Sequence, residues 1–116
     1  MGLLSRWRRR GSAAPGGASR ADRAASAGAD SAHLEGFARS RAGVEAFVEP
    51  ATNVTPTTLL LIAQDGEWTR RRVPDPATAA AFARRLAIPV YDVNLTGYPQ
   101  KMRDWTARRR AEERGA

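Results

Sequence analysis

The 116-residue sequence predicts an α+β domain behind a disordered basic tail. The expected core is a small mixed sheet of about four strands, in α-β-β-β-α-β-α order, with helices mainly on one face. Three observations predict it. Asp65-Gly66 separates two strand-like runs, TTLLLIAQ (57–64) and EWTRRRV (67–73), and Asp-Gly in that position is a strong hairpin signal. An N-cap and Pro pair, Asp75-Pro76, then opens an apolar stripe of helical period that is followed by a further strand-like run. Residues 11–33, finally, carry no apolar residue larger than Ala. Such a segment cannot bury enough surface to offset backbone ordering, which costs about 1–2 kcal/mol per residue.

Taken in order, residues 1–33 form the expected tail. Within Met1–Arg10, Leu3, Leu4 and Trp7 share one face of a helix, with Arg6, Arg8, Arg9 and Arg10 around it. That arrangement suits an anionic surface, and equally a basic, unstructured terminus. The domain is expected over residues 34–107. Leu34, Phe37 and Ala38 have i, i+3, i+4 spacing, so a short amphipathic helix runs to Ser40 and Gly43 ends it. Val44, Ala46 and Val48 alternate with Glu45, Phe47 and Glu49 as a first strand, which Pro50 stops.

A two-residue type I′ turn would pair Gln64 with Glu67. Ala63 would then face Trp68, Leu61 face Arg70 and Leu59 face Arg72, with Ile62–Thr69, Leu60–Arg71 and Thr58–Val73 on the other side. Leu59–Ala63 is apolar on both faces and should be central. Its arginine-bearing partner should lie at or near an edge. Asp75 caps a helix whose apolar stripe is Ala79, Phe82, Ala83 and Leu86. The run from Pro89 to Val93 reads as a strand, and strand–helix–strand succession suggests a crossover between parallel neighbours. A polar loop, Asn94–Gly97, leads to a last helix opened by Pro99. Tyr98, Met102 and Trp105 should dock it, with residues 108–116 fraying as a charged tail.

Net charge is +7 and sits at the ends. Residues 1–33 carry +4, residues 34–98 balance to 0, and residues 99–116 carry +3. Basic arms around a neutral domain are expected, not a basic groove. The chain has no cysteine and one histidine, which excludes disulfides, a thiolate zinc site, a cysteine nucleophile and a His-rich metal site. Its longest apolar run, Leu59–Ala63, is far short of the ~20 residues of a membrane span. No apolar stretch follows Arg10, and Arg6 occupies the Ser/Thr position of a myristoylation signal, so a cytoplasmic protein is expected.

The motifs GVEAFVEP, DGEWTRRRVPDP, IPVYDV and GYPQKMRDW, between Gly43 and Arg110, have distinctive wording. On these the chain resembles a family of small uncharacterised actinobacterial proteins. The resemblance covers roughly the last three-quarters of the chain. Relatives carry at most a generic oxidoreductase label, so the resemblance implies no defined activity. No GxGxxG follows a strand, and no cofactor is expected.

Two surfaces could carry binding. Arg70, Arg71 and Arg72 can engage carboxylate or phosphate, with Trp68 beside Arg70, or they can serve as a solubilising edge strand. Asp92, Asn94 and Tyr98 follow the last strand, where open sheets place ligands, or they can form a self-satisfied turn. His33 reads as an exposed or capping residue. Glu45 and Glu49 are about 13 Å apart by strand rise, too far for a glycosidase pair. No catalytic constellation emerges. The sequence therefore points to a non-catalytic interaction module with a protein partner. Salt-dependent nucleic-acid or anionic-membrane association through the basic termini, and a small-ligand or enzymatic role, are the alternatives.

Overall fold

A computed structural model describes residues 19–115. The expectations placed on Arg6, Trp7, Arg8, Arg9 and Arg10 lie outside the described residues. The elements are α1 (Arg20–Ser40), β1 (Glu45–Glu49), β2 (Thr58–Ile62), β3 (Trp68–Arg72), α2 (Pro76–Arg85), β4 (Val90–Asp92), the one-turn α3 (Val93–Thr96) and α4 (Gln100–Gly115). The strands form one mixed sheet of order β3-β2-β1-β4. β1 pairs antiparallel with β2 and parallel with β4, and β2 pairs antiparallel with β3. The α+β architecture and the four-stranded sheet are those the sequence predicts.

β2 is central because it is apolar on both sides. Leu59, Leu60, Leu61 and Ile62 are all fully buried. Each such side chain contributes roughly 1.5–3 kcal/mol relative to exposure. Leu59 and Leu61 join Ala46 and Val48 of β1, Leu34 and Phe37 of α1, and Ala79 and Ala83 of α2 in the main core. Phe47, Leu60 and Ile62 form a smaller cluster on the opposite face with Trp68 and Met102. Two helices thus cover one face, and α4 packs on the other.

The hairpin register is one residue away from the expected one. The observed pairs are Ile62–Trp68, Leu61–Thr69, Leu60–Arg70, Leu59–Arg71 and Thr58–Arg72. Ala63 N donates to Glu67 O at 2.8 Å while Gly66 N donates to Ala63 O at 2.9 Å. Gly66 has φ +97°, and Asp65 is not among the positive-φ residues. That is a type I turn closed by a glycine bulge, a three-residue loop, where a type I′ turn needs both residues at positive φ. Asp65 Oδ1 instead accepts from Glu67 N at 2.9 Å, which satisfies the turn locally. The extra loop residue moves every β3 side chain to the other face of the expected pairing.

Three boundaries and one strand neighbour also differ. α1 begins at Arg20 rather than Leu34, so residues 20–33 are helical and not part of a disordered tail. Ser19 Oγ accepts from Asp22 N at 3.0 Å as its N-cap. Polar ties then hold the helix to β3: Asp30 Oδ1 lies 3.6 Å from Arg71 Nε, and His33 Nε2 lies 2.6 Å from Thr69 Oγ1. β4 is parallel to β3 in direction but is not its neighbour. The connection through α2 passes β2 and β1 and lands on the far edge. The expected loop after β4 contains α3, capped by Asp92. α4 does not fray at Arg108. It continues to Gly115, and Arg108 itself donates to Asp65 O at 2.9 Å.

α2 starts as expected. Asp75 Oδ1 accepts from Thr78 N at 2.7 Å, and this bond holds the carboxyl below its usual range. No helix among the described residues is long and apolar enough to cross a membrane.

Candidate functional site

Because β1, β3 and β4 run in the same direction, their carboxyl ends meet at one end of the sheet. Glu49, Arg70–Arg72 and Asp92–Asn94 converge there. A cleft of 910 Å³ opens at this end, between α1 on one side and the 50–56 loop and Tyr98 on the other. Its position, outside the carboxyl ends of the strands, is where open sheets usually receive ligands.

Glu49 organises the wall of the cleft. Arg70 grips its carboxylate side-on, Nε to Oε1 at 2.7 Å and Nη2 to Oε2 at 2.9 Å. Thr58 Oγ1 donates to Oε1 at 2.7 Å, and the Tyr98 hydroxyl donates to Oε2. The Glu49 side chain is 13% exposed and that of Arg70 is 39% exposed. Burial pushes the Glu49 carboxyl up, but the bonds from Arg70, Tyr98 and Thr58 together outweigh it and leave the group below its ordinary range. The same bond to Glu49, with burial, pushes the Tyr98 hydroxyl up. A carboxylate with four donors and a depressed pKa has neither the free lone pair nor the near-neutral affinity for protons that a general base needs.

The other two arginines differ in how they are held. Arg71 Nη1 donates to Arg70 O at 2.8 Å, and its Nε faces Asp30. Arg72 is exposed and makes no ion pair or hydrogen bond among the described residues. The pairing of Ala63 with Glu67 and of Val73 N with Thr57 O sets which backbone groups of β3 are free. Residues 69 and 71 bond to β2, so Trp68, Arg70 and Arg72 turn their N–H and C=O groups to the open edge. Arg71 covers the central one of those carbonyls with its own side chain.

Compared with family models, curated proteins and solved structures, the chain gives no match. The site is read from its own geometry.

Of the residues singled out from sequence, Arg70, Arg71, Arg72, Asn94 and Tyr98 line this cleft. Asp92 does not. Its Oδ1 accepts from Asn94 N at 2.8 Å as the cap of α3. Trp68 lies on the opposite face of the sheet from Arg71, and its Nε1 donates to Thr106 Oγ1 at 2.9 Å. It lines a second cleft, of 510 Å³, that shares Arg70 and Tyr98 with the first. His33 serves as a tie to β3. Burial first, then Arg71, lowers its pKa against the opposing pull of Asp30, which favours the neutral ring.

The centre of the network, Glu49, stands out in sequence only as a carboxylate too far from Glu45 to form a catalytic pair, and Thr58 and Asp30 are not marked as site residues. In the two-residue-turn register Arg70 faces Leu61, whose β1 partner Ala46 lies on the α1 side. In the observed register Arg70 faces Leu60 and shares a sheet face with Phe47 and Glu49. Recognising Gly66 as a bulge residue would have put Arg70 and Glu49 on one face. Nothing in the spacing announces Asp30, because it reaches β3 from a helix forty residues away. Among the described residues no group of three or more His, Asp or Glu side chains could hold a metal ion.

Proposed function

We propose that this domain is a non-catalytic interaction module whose carboxyl-end cleft receives an extended, acidic and partly apolar segment of a partner protein. The observation that carries the reading is Arg72, a guanidinium without a partner among the described residues, at the open end of edge strand β3. Its own backbone N–H and C=O face outward. A segment adding to β3 would gain main-chain hydrogen bonds there, and its carboxylates could pair bidentately with Arg72. Val54, 89% exposed in the β1–β2 loop, and Leu95, 86% exposed in α3, stand at the same end of the sheet and offer apolar contacts. The saturated Glu49 supports binding rather than catalysis. Arg71 keeps the Arg70 carbonyl covered until the partner segment displaces it, which protects the edge from self-pairing. A cytoplasmic setting, and the family membership that the motifs imply, stand with this proposal.

The test is affinity purification of the full chain with mass spectrometry, wild type beside Arg72→Glu. A stoichiometric partner should be recovered by the wild type and lost on charge reversal. Cross-links should map to an acidic extended segment of that partner. Recovery of no partner, or equal recovery by Arg72→Glu, would overturn the reading.

A further inference from the structure

The second cleft has a composition the first lacks. Trp68, Tyr98 and Met102 form its apolar walls, and Arg70, Arg103 and Arg110 stand around it. Among the described residues no carboxylate lines it. Among these arginines only Arg70 is neutralised, by Glu49. Arg103 Nη1 donates to the neutral Gln100 side chain at 3.1 Å, and Arg110 makes no ion pair among the described residues. Asp104, beside Arg103 in sequence, accepts from Gln100 Nε2 at 3.0 Å, and none of Asp104, Glu112 and Glu113 lines the cleft. Arg70 also lies over the Trp68 ring, 5.2 Å from its centre, so a planar cation and an aromatic are stacked at the mouth.

The positive charge does not end at the cleft. Arg103, Arg110 and Arg114 recur at i, i+7 and i+11, which places them within ~20° of one line along α4. They are spaced by roughly 10 and 6 Å along the axis. A single anion needs one such group. A row of them leading out of an aromatic-walled cleft suits a flexible polyanion that also carries planar rings.

We propose that this face binds single-stranded nucleic acid, with a base held against Trp68 and Tyr98 and successive phosphates on Arg103, Arg110 and Arg114. Aromatic walls contribute affinity for any base, because every base has a π-face, and the arginine row supplies the salt-dependent part. A duplex keeps its bases stacked inside and cannot use the aromatic walls. Arg72 is on the same face of the sheet as Trp68 but does not line this cleft, which meets the partner-segment cleft only at Arg70 and Tyr98.

The experiment uses the full chain and a fluorescein-labelled twelve-residue oligothymidylate, read by fluorescence anisotropy across a salt series. Arg103→Ala/Arg110→Ala should weaken binding by about tenfold or more. It should also reduce the slope of log K against log salt by about 1.4, from ~0.7 per phosphate contact. In a Trp7→Phe/Trp105→Phe background, the remaining Trp68 emission should be quenched by the oligonucleotide, and a duplex of equal length should compete poorly. Arg72→Ala, at a residue that does not line this cleft, should weaken binding no more than about twofold, which separates this site from the partner cleft. Absence of binding by the wild type would overturn the proposal. So would unchanged affinity in the double variant, unquenched Trp68, or equal competition by duplex.

Discussion

Gly66 offers the sharpest test of how the hairpin is held, and Gly97 supplies its control. Both have positive φ, +97° and +71°. A Cβ at Gly97 would meet nothing within 4 Å. Gly97→Ala therefore reports backbone strain alone, roughly 1–3 kcal/mol for a residue forced into a glycine-only region. A Cβ at Gly66 would sit 2.1 Å from Lys101 O and 2.9 Å from both Lys101 C and Trp105 Cβ. Two of those contacts are backbone, so no rotamer change relieves them. Either the turn opens or the first turns of α4 lift away from the hairpin. Adding an overpacking cost of about 1–3 kcal/mol puts Gly66→Ala at roughly 2–6 kcal/mol. For a domain of this size the total stability is of order 5–15 kcal/mol, so the variant should approach the unfolding threshold. Urea titration followed by Trp fluorescence gives both values. If Gly66→Ala cost no more than Gly97→Ala, the close seating of α4 on the turn would be wrong.

Three further outcomes follow from particular contacts. Ala87 ends α2 at φ +58°, with Ile88 N donating to Ala83 O at 3.1 Å and Ala87 N to Arg84 O at 2.9 Å. That is a Schellman cap with the wrong residue, and Ala87→Gly should raise stability by about 0.5–1 kcal/mol in the same urea assay. Glu49 has a folded pKa below its unfolded value of ~4.3, so its network stabilises the domain above that pH and is lost as pH falls through the folded pKa. Glu49→Gln should lower stability at pH 7 and flatten its fall below about pH 4.5, measured as urea midpoints from pH 7 to pH 3. Asp30→Ala removes the tie between α1 and Arg71. Amide exchange over residues 23–30 should accelerate by about two- to fivefold while residues 34–40, anchored by Leu34 and Phe37, stay unchanged.

The α+β class, the four strands, the central place of Leu59–Ile62 and the capped start of α2 were legible from local pattern alone. Each depends on side chains within a few residues of one another: a run apolar on both faces, an Asp-Pro cap, a stripe at i, i+3, i+4. The candidate cleft was half legible. Arg70–Arg72 and Asn94–Tyr98 were marked as surfaces, but their meeting was not visible. It required β4 to land beside β1, so that strand ends far apart in the chain share one end of the sheet.

What only the tertiary structure decided turns on contacts that pay no regard to sequence distance. Gly66 takes the bulge position with α4 seated against it, and that single extra residue moves Arg70 from the α1 face to Glu49. Residues 20–33 form a helix capped by Ser19, and Asp30 and His33 meet partners on β3 that the low apolar content of the segment does not announce. Composition sets which segments can be buried. Register and docking then decide which charges meet, and here they divide a run of three arginines into a saturated pair with Glu49, a tie to Asp30 and, among the described residues, one arginine without a partner.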